Sequence, residues 1–102
     1  MQSQNYSYPL NPGWSTAEME TVIAMLRAVE DAYEVGINRA ELLKRYRAFK
    51  QIVNSKAEEK QIGRDFERDS GYVLYRVVKA AQDSDAKKIK MAGDRHVERG
   101  TL

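Results

Sequence analysis

Four basic residues recur at every fourth position in one stretch of this sequence: Lys56, Lys60, Arg64 and Arg68. In an α-helix this spacing places the four side chains along one face, about 6 Å apart along the helix axis. We call this set the cationic ridge. Like charges at that spacing repel each other, so the ridge indicates either a solvated helix face or a binding surface for an acidic partner.

Three acidic residues form the opposite grouping, the acidic cluster of Glu30, Asp31 and Glu34. They fall in the last turns of a predicted helix, where the helix dipole disfavours anions and where Glu30 and Glu34 repel each other. Solvation, a pair between Asp31 and Arg27, or a cationic partner would each compensate this charge. A carboxylate metal site is the sharper alternative, but helical-bundle sites of that kind add His at helical spacing, and none occurs here.

No other residues form a recognisable catalytic pattern. The only His, His96, lies in a predicted tail that offers its imidazole no rigid partner. The sequence has no Cys, no Gly-rich phosphate loop and no EF-hand series. The aromatic residues that could stack on ligand rings, but that packing on the helices also explains, are Tyr6, Tyr8, Trp14, Tyr72 and Tyr75. We therefore predict a protein without catalytic activity, cofactor or metal.

Length and composition indicate one cytoplasmic domain. The chain has 102 residues, enough for a single core, and its net charge of +2 from 17 basic and 15 acidic residues creates no global attraction to nucleic acid or membranes. Its apolar runs are far shorter than the ~20 residues that span a bilayer. The start of the sequence lacks the basic and apolar regions of a signal peptide. The lack of Cys fits a reducing compartment.

Three helix starts are predicted from one pattern, a short polar residue followed three positions later by Glu. The pairs are Ser15 with Glu18, Asn38 with Glu41, and Ser55 with Glu58. The polar side chain accepts from a free amide of the first turn, and the Glu can reach back to the amide of the cap. The first helix should cover residues 16–35 and stop at Gly36 in a left-handed conformation. The second should end near Asn54, and the third should carry the cationic ridge opposite Ile62 and Phe66, with Gly63 as a point of close approach.

Residues 72–78 are the ambiguous segment because β-branched and aromatic side chains crowd it, as in a strand. No other segment alternates to pair with it, so we predict a fourth helix from about Gly71, capped by Asp69 or Ser70. From residue 83 the chain becomes polar, and we expect a flexible tail that contributes little to the core.

The residues before the first helix are predicted to form an extended arm, because Pro9 and Pro12 exclude a helix interior. The apolar side chains of this arm favour packing across the helices, with Trp14 largely buried. The prediction is thus an all-α fold, a compact four-helix bundle with an extended N-terminal arm and no paired strand. Its divisions are an arm at residues 1–15, a helical domain at residues 16–82 and a polar tail at residues 83–102.

Three stretches, residues 8–19, 49–61 and 66–78, resemble a small bacterial family catalogued as uncharacterised protein family 0223. They read Tyr-Pro-Leu-Asn-Pro-Gly-Trp-Ser-Thr-Ala-Glu-Met, Phe-Lys-Gln-Ile-Val-Asn-Ser-Lys-Ala-Glu-Glu-Lys-Gln and Phe-Glu-Arg-Asp-Ser-Gly-Tyr-Val-Leu-Tyr-Arg-Val-Val. The resemblance covers about residues 6–81. It implies an all-helical cytoplasmic protein and brings no activity, substrate or catalytic residue.

The sequence as a whole favours a small cytoplasmic protein–protein interaction module. Its partner is predicted to be an acidic protein that the cationic ridge binds, or a second copy that offers its acidic cluster. The alternative, which the near-balanced charge does not favour, is a nucleic-acid or ribonucleoprotein accessory protein that uses the ridge. No membrane partner is expected. The candidate partner-binding residues are Lys56, Lys60, Arg64, Arg68, Glu30, Asp31 and Glu34.

Overall fold

A computed structural model describes residues 7–91, which form four helices and one short antiparallel strand pair. In chain order the elements are α1 (Thr16–Glu34), β1 (Ile37–Asn38), α2 (Arg39–Ile52), α3 (Lys56–Ser70), α4 (Leu74–Asp83) and β2 (Lys88–Ile89). The prediction of an all-α fold with four helices is confirmed. Residues 1–6 and 92–102, which include Tyr6 and His96, lie outside the described part of the chain.

The first three helices begin at the predicted caps. Ser15 Oγ accepts a hydrogen bond from the Glu18 amide at 3.1 Å, and the Glu18 carboxylate accepts one from the Ser15 amide at 2.8 Å. Asn38 and Ser55 accept in the same way from the amide three residues further along, at 2.9 and 3.3 Å. Each cap provides an acceptor for an amide that the helix leaves without a partner.

The connection after α1 contains the strand pair that the sequence analysis did not expect. Gly36 has φ of 91° and ends α1 as predicted. The next residues then run extended, and Ile37 pairs with Ile89. Two further backbone hydrogen bonds continue the contact, from the Arg39 amide to the Lys87 carbonyl at 2.8 Å and from the Met91 amide to the Ala32 carbonyl at 2.7 Å. The expectation of no paired strand is therefore wrong.

The same pairing brings the polar C-terminal segment onto the helices. Ile89 is only 5% exposed and belongs to the core, and Met91 packs against it. The expectation of a flexible tail that contributes little to the core therefore does not hold for these two residues. Burial of one Ile side chain and a few backbone hydrogen bonds are enough to hold a segment that is otherwise polar.

The fourth helix exists, but it begins later than expected and without the expected cap. Gly71 has φ of 82° and ends α3 in a left-handed conformation. Ser70 Oγ donates to the Phe66 carbonyl at 2.6 Å and accepts from the Tyr72 amide at 3.0 Å, so it closes α3 and does not cap α4. Helix α4 starts after Val73, which provides no side-chain hydrogen bond.

The core lies mainly between α1, α2 and α4, and α3 adds a thin apolar seam. Helix α3 buries only Ile62 and Phe66, so most of its surface stays outside the core. The largest fully buried side chains are Phe49, Phe66, Met25, Leu26, Leu42, Val22, Val29, Val53 and Val77. This asymmetry leaves one side of α3 open next to α2 and the start of α4.

The described part of the arm packs on this core. Tyr8, Leu10 and Trp14 are partly buried against it, and the Tyr8 ring stacks on Phe66 with 6.3 Å between centroids. Trp14 is partly buried and packs against the core, in line with the expected packing of the arm on the helices. Its position at the edge of the core, immediately before the cap of α1, leaves part of the indole in water.

Candidate functional site

Two tyrosine hydroxyl groups bind the acidic cluster at the end of α1. Tyr8 donates to both carboxylate oxygens of Glu30 at 3.1 Å, and Tyr72 donates to Glu34 at 2.7 Å. Glu30 is only 8% exposed. Burial raises the pKa of Tyr8, and the Glu30 carboxylate adds to this while Arg27 opposes it. The cluster therefore anchors the arm and the α3–α4 connection to α1.

Asp31, the third member of the acidic cluster, has a half-buried side chain and a carbonyl group that closes the helix. That carbonyl accepts from the amides of Val35 and Gly36 at 2.9 and 2.6 Å. Within residues 7–91, no three His, Cys, Asp or Glu side chains lie close enough together to hold a metal ion.

All four members of the cationic ridge are exposed on α3, but they differ in their partners. Arg68 forms ion pairs with Asp65 at 3.2 Å and with Asp69 at 3.1 Å. The hydrogen bond with Asp69 raises the pKa of Arg68 above its ordinary value. The described part of the chain offers Lys56 and Lys60 no ion pair, so their charge is available to a partner.

The other three ridge residues line a groove between α2, α3 and the start of α4. We call it the α3 groove, and its volume is about 390 Å³. Its walls contain Tyr46, Lys50, Lys56, Glu59, Lys60, Gly63, Arg64, Glu67, Val73, Leu74 and Tyr75. We expected the ridge to point to solvent, away from the apolar seam of α3. Its side chains are exposed, and the start of α4 lies beside three of them, which form one wall of the groove.

A hydrogen-bonded network forms the α2 side of the α3 groove. Glu59 accepts from the Tyr46 hydroxyl at 2.9 Å and pairs with Lys50 at 2.5 Å. Burial, together with the neighbouring carboxylate of Glu59, raises the pKa of Tyr46 to about 12. The Tyr46 hydroxyl therefore keeps its proton, and its hydrogen bond to Glu59, to a higher pH than an exposed tyrosine would.

The floor of the groove is apolar and has free space. Gly63 lies there, and a methyl group added to it would meet Leu74 Cδ2 at an ordinary contact distance of 3.9 Å. Packing on Leu74 thus does not demand a glycine, contrary to the close approach that we expected. Beside it, the side chain of Tyr75 is 68% exposed.

The charge of the α3 groove is positive. Lys50, Lys56, Lys60 and Arg64 line it together with only two anions, Glu59 and Glu67, and Glu59 is already paired with Lys50. Among the described residues its walls include no Ser, Cys or His to act as a nucleophile or general base. The arrangement can bind a molecule that carries negative charge and an apolar group.

The cations of this site are recognisable in the sequence, but the groove that three of them line is not. The sequence presents Tyr75 only as a ring that could stack on a ligand or pack on the helices. The missing information was the angle at which α4 leaves Gly71, which local sequence does not specify. One further expectation concerned membranes: in residues 7–91 no helix combines the length and apolar character needed to cross a bilayer.

Comparison with known proteins gives a consistent result. The model of the uncharacterised protein family UPF0223 matches residues 5–90, which includes β2. A UPF0223 protein of Listeria monocytogenes serotype 4b (strain CLIP80459) is 55% identical over 86 residues, which cover 84% of this chain and 96% of that protein. A UPF0223 protein of Streptococcus gordonii is 49% identical over 89 residues, which cover 87% of this chain and 97% of that protein. The names of these relatives state no activity.

Proposed function

This chain belongs to the uncharacterised protein family UPF0223, and we propose that it is a small protein-interaction module without catalytic activity. It binds an acidic surface of another protein through the cationic ridge, and it works in the cytoplasm. The observation that carries the proposal is the position of Lys56, Lys60 and Arg64 on the α3 groove. A charge that the fold itself does not neutralise is available to attract a partner.

The acidic cluster is not part of the proposed binding surface. Glu30 is buried and accepts a hydrogen bond from Tyr8, and Glu34 accepts one from Tyr72. These contacts tie the arm and the α3–α4 connection to α1, which is a structural role. The proposal therefore concerns Lys56, Lys60 and Arg64, with Arg68 contributing less because two aspartates already pair with it.

Charge reversal tests the proposal. The variant Lys60→Glu with Arg64→Glu is compared with Lys44→Glu and Arg47→Glu, which makes the same change of charge at exposed positions of α2 outside the groove. Each protein is immobilised and used to capture partners from a nuclease-treated bacterial lysate. We expect an acidic protein that the wild type and the α2 variant capture and the α3 variant does not. Equal capture by both variants would overturn the proposal.

The alternative of a nucleic-acid accessory protein is an outcome of the same design. Binding to phosphates releases counterions. The logarithm of the binding constant for nucleic acid therefore falls steeply and linearly with the logarithm of the salt concentration. A short single-stranded RNA and a duplex DNA are titrated against the wild type and both variants. Tight, salt-sensitive binding that only the α3 variant loses would replace the proposal of a protein partner.

A further inference from the structure

The α3 groove combines an apolar floor with a cationic wall, a combination that indicates one particular kind of occupant. Within residues 7–91, two large hydrophobic side chains are exposed, Val35 and Tyr75, and Tyr75 is the one that lines the groove. Exposed apolar surface in a concave site, with a polar rim, is typical of a docking site. A ligand that used only charge would leave this surface in water.

Gly63 gives a second, independent indication. A glycine in a helix interior is less favourable than alanine because it loses more backbone freedom on folding. Its φ is not in the left-handed region, and Leu74 leaves room for a side chain. The described packing therefore gives no steric reason for glycine here, whereas an inserted group from a ligand would need the space.

The charge selects the class of occupant. Lys56 and Lys60 have no anionic partner in the described chain, and α4 begins at the groove without a side-chain cap, which adds to the positive potential. A flat anionic membrane would reach the rim but not the floor. A segment of protein can present carboxylates and one apolar side chain at the same time.

We propose that the α3 groove binds a short acidic segment of the partner protein. One aromatic or aliphatic side chain of that segment lies over Gly63 and against Tyr75, and its flanking carboxylates pair with Lys56, Lys60 and Arg64. This inference rests on the proposed function, since it names the chemistry of the partner and the place where it binds. The anchor supplies the buried contact, and the carboxylates set the orientation.

The test uses random dodecapeptides displayed on phage and selected on the full-length protein. We expect enrichment of peptides in which Asp or Glu residues flank a single Phe, Tyr, Trp or Leu. The selected peptide is then synthesised with a fluorophore and titrated by anisotropy. Selection of no peptide, or of basic or purely apolar peptides, would overturn the inference.

Two substitutions then locate the binding site. Gly63→Leu fills the floor of the groove and is expected to lower the affinity for the peptide by about tenfold or more, because it displaces the apolar side chain of the peptide. Tyr75→Ala removes an exposed ring without disturbing the core, and it is also expected to weaken binding of the peptide. This variant tests the groove even if Gly63→Leu fails to fold. Val35→Ala, an exposed apolar position outside the groove, is the control and should leave the affinity unchanged.

The outcomes separate this inference from the proposed function. If Lys60→Glu with Arg64→Glu abolishes binding while Gly63→Leu and Tyr75→Ala leave it unchanged, the ridge binds the partner and the groove inference is wrong. If the charge reversal also leaves binding unchanged, both proposals fail. If all three variants lose the peptide and Val35→Ala keeps it, both stand.

Discussion

Tyr8 and Tyr72 bring hydroxyl groups to the acidic end of α1, where Arg27 also acts on Tyr8. A carboxylate near a helix C-terminus is destabilised by the dipole, and a buried one also loses its hydration. A phenol hydroxyl can donate a charge-assisted hydrogen bond to the carboxylate without burying a second charge. Because both tyrosines come from segments outside α1, the compensation also attaches those segments to the helix.

The first prediction concerns Tyr8. Replacement Tyr8→Phe keeps the ring on Phe66 and removes the donor to Glu30, so we expect a loss of about 1–3 kcal/mol in the free energy of unfolding. Urea denaturation followed by circular dichroism measures it. Tyr75→Phe is the control, since the described residues offer the Tyr75 hydroxyl no hydrogen bond. Equal stability of the Tyr8→Phe variant and the wild type would mean that the hydrogen bond to Glu30 contributes no net stability.

The second prediction concerns the pH dependence that Tyr46 causes. Its pKa is raised from 10.0 to about 12, chiefly by burial and then by Glu59, so the unfolded chain ionises at lower pH than the folded one. The stability that this shift contributes is complete below pH 10 and is lost as the pH rises toward 12. We expect the urea midpoint to fall with pH above 10 less steeply in Tyr46→Phe than in the wild type. Parallel curves would show that Tyr46 titrates alike in both states.

At the scale of elements, β2 is held by one apolar side chain and a few backbone hydrogen bonds. We predict that Ile89→Ala destabilises the protein by about 2–5 kcal/mol, as expected for a buried Ile, and that Lys90→Ala changes stability little. Thermal unfolding of the two variants provides the measurement. If Ile89→Ala had the melting temperature of the wild type, the strand pair would contribute nothing to stability. The expectation of a tail that contributes little to the core would then be correct.

Helix α3 offers a prediction of the opposite sign. Gly63→Ala adds a methyl group at 3.9 Å from Leu74 and lowers the entropy of the unfolded chain, so we expect a stabilisation of about 0.5–1 kcal/mol. Chemical denaturation of Gly63→Ala and the wild type at the same pH would measure this difference in the free energy of unfolding. A destabilised variant would indicate that the backbone of α3 must approach α4 more closely than this geometry shows.

The elements also show how far the sequence could predict this fold. The caps at Ser15, Asn38 and Ser55 and the stop at Gly36 are local signals, because each residue satisfies or frees a backbone group within a few positions. The pairing of Ile37 with Ile89 is not local, and two-residue strands carry no alternating pattern. The α3 groove was unpredictable for the same reason: three elements build it, and the direction of α4 after Gly71 decides which side chains meet.

At the scale of the whole molecule, the two charge groups have unequal availability. The carboxylates of Glu30 and Glu34 are engaged within the chain, whereas Lys56 and Lys60 have no ion pair within the described residues. The net charge of +2 is small, but Lys56, Lys60 and Arg64 bring positive charge together on one side of α3. An acidic partner would meet a positive surface there, even though the protein as a whole is nearly neutral.

This inequality leads to a prediction about self-association. If two copies joined the ridge of one to the acidic cluster of the other, that contact would compete with the hydrogen bonds from Tyr8 and Tyr72. We therefore expect a monomer in sedimentation velocity at both low and high salt. A dimer that dissociates as salt increases would show that charge drives association of copies. Glu34→Lys would then identify the surface, because it should abolish such a dimer if the acidic cluster forms it and leave the dimer intact if another surface does.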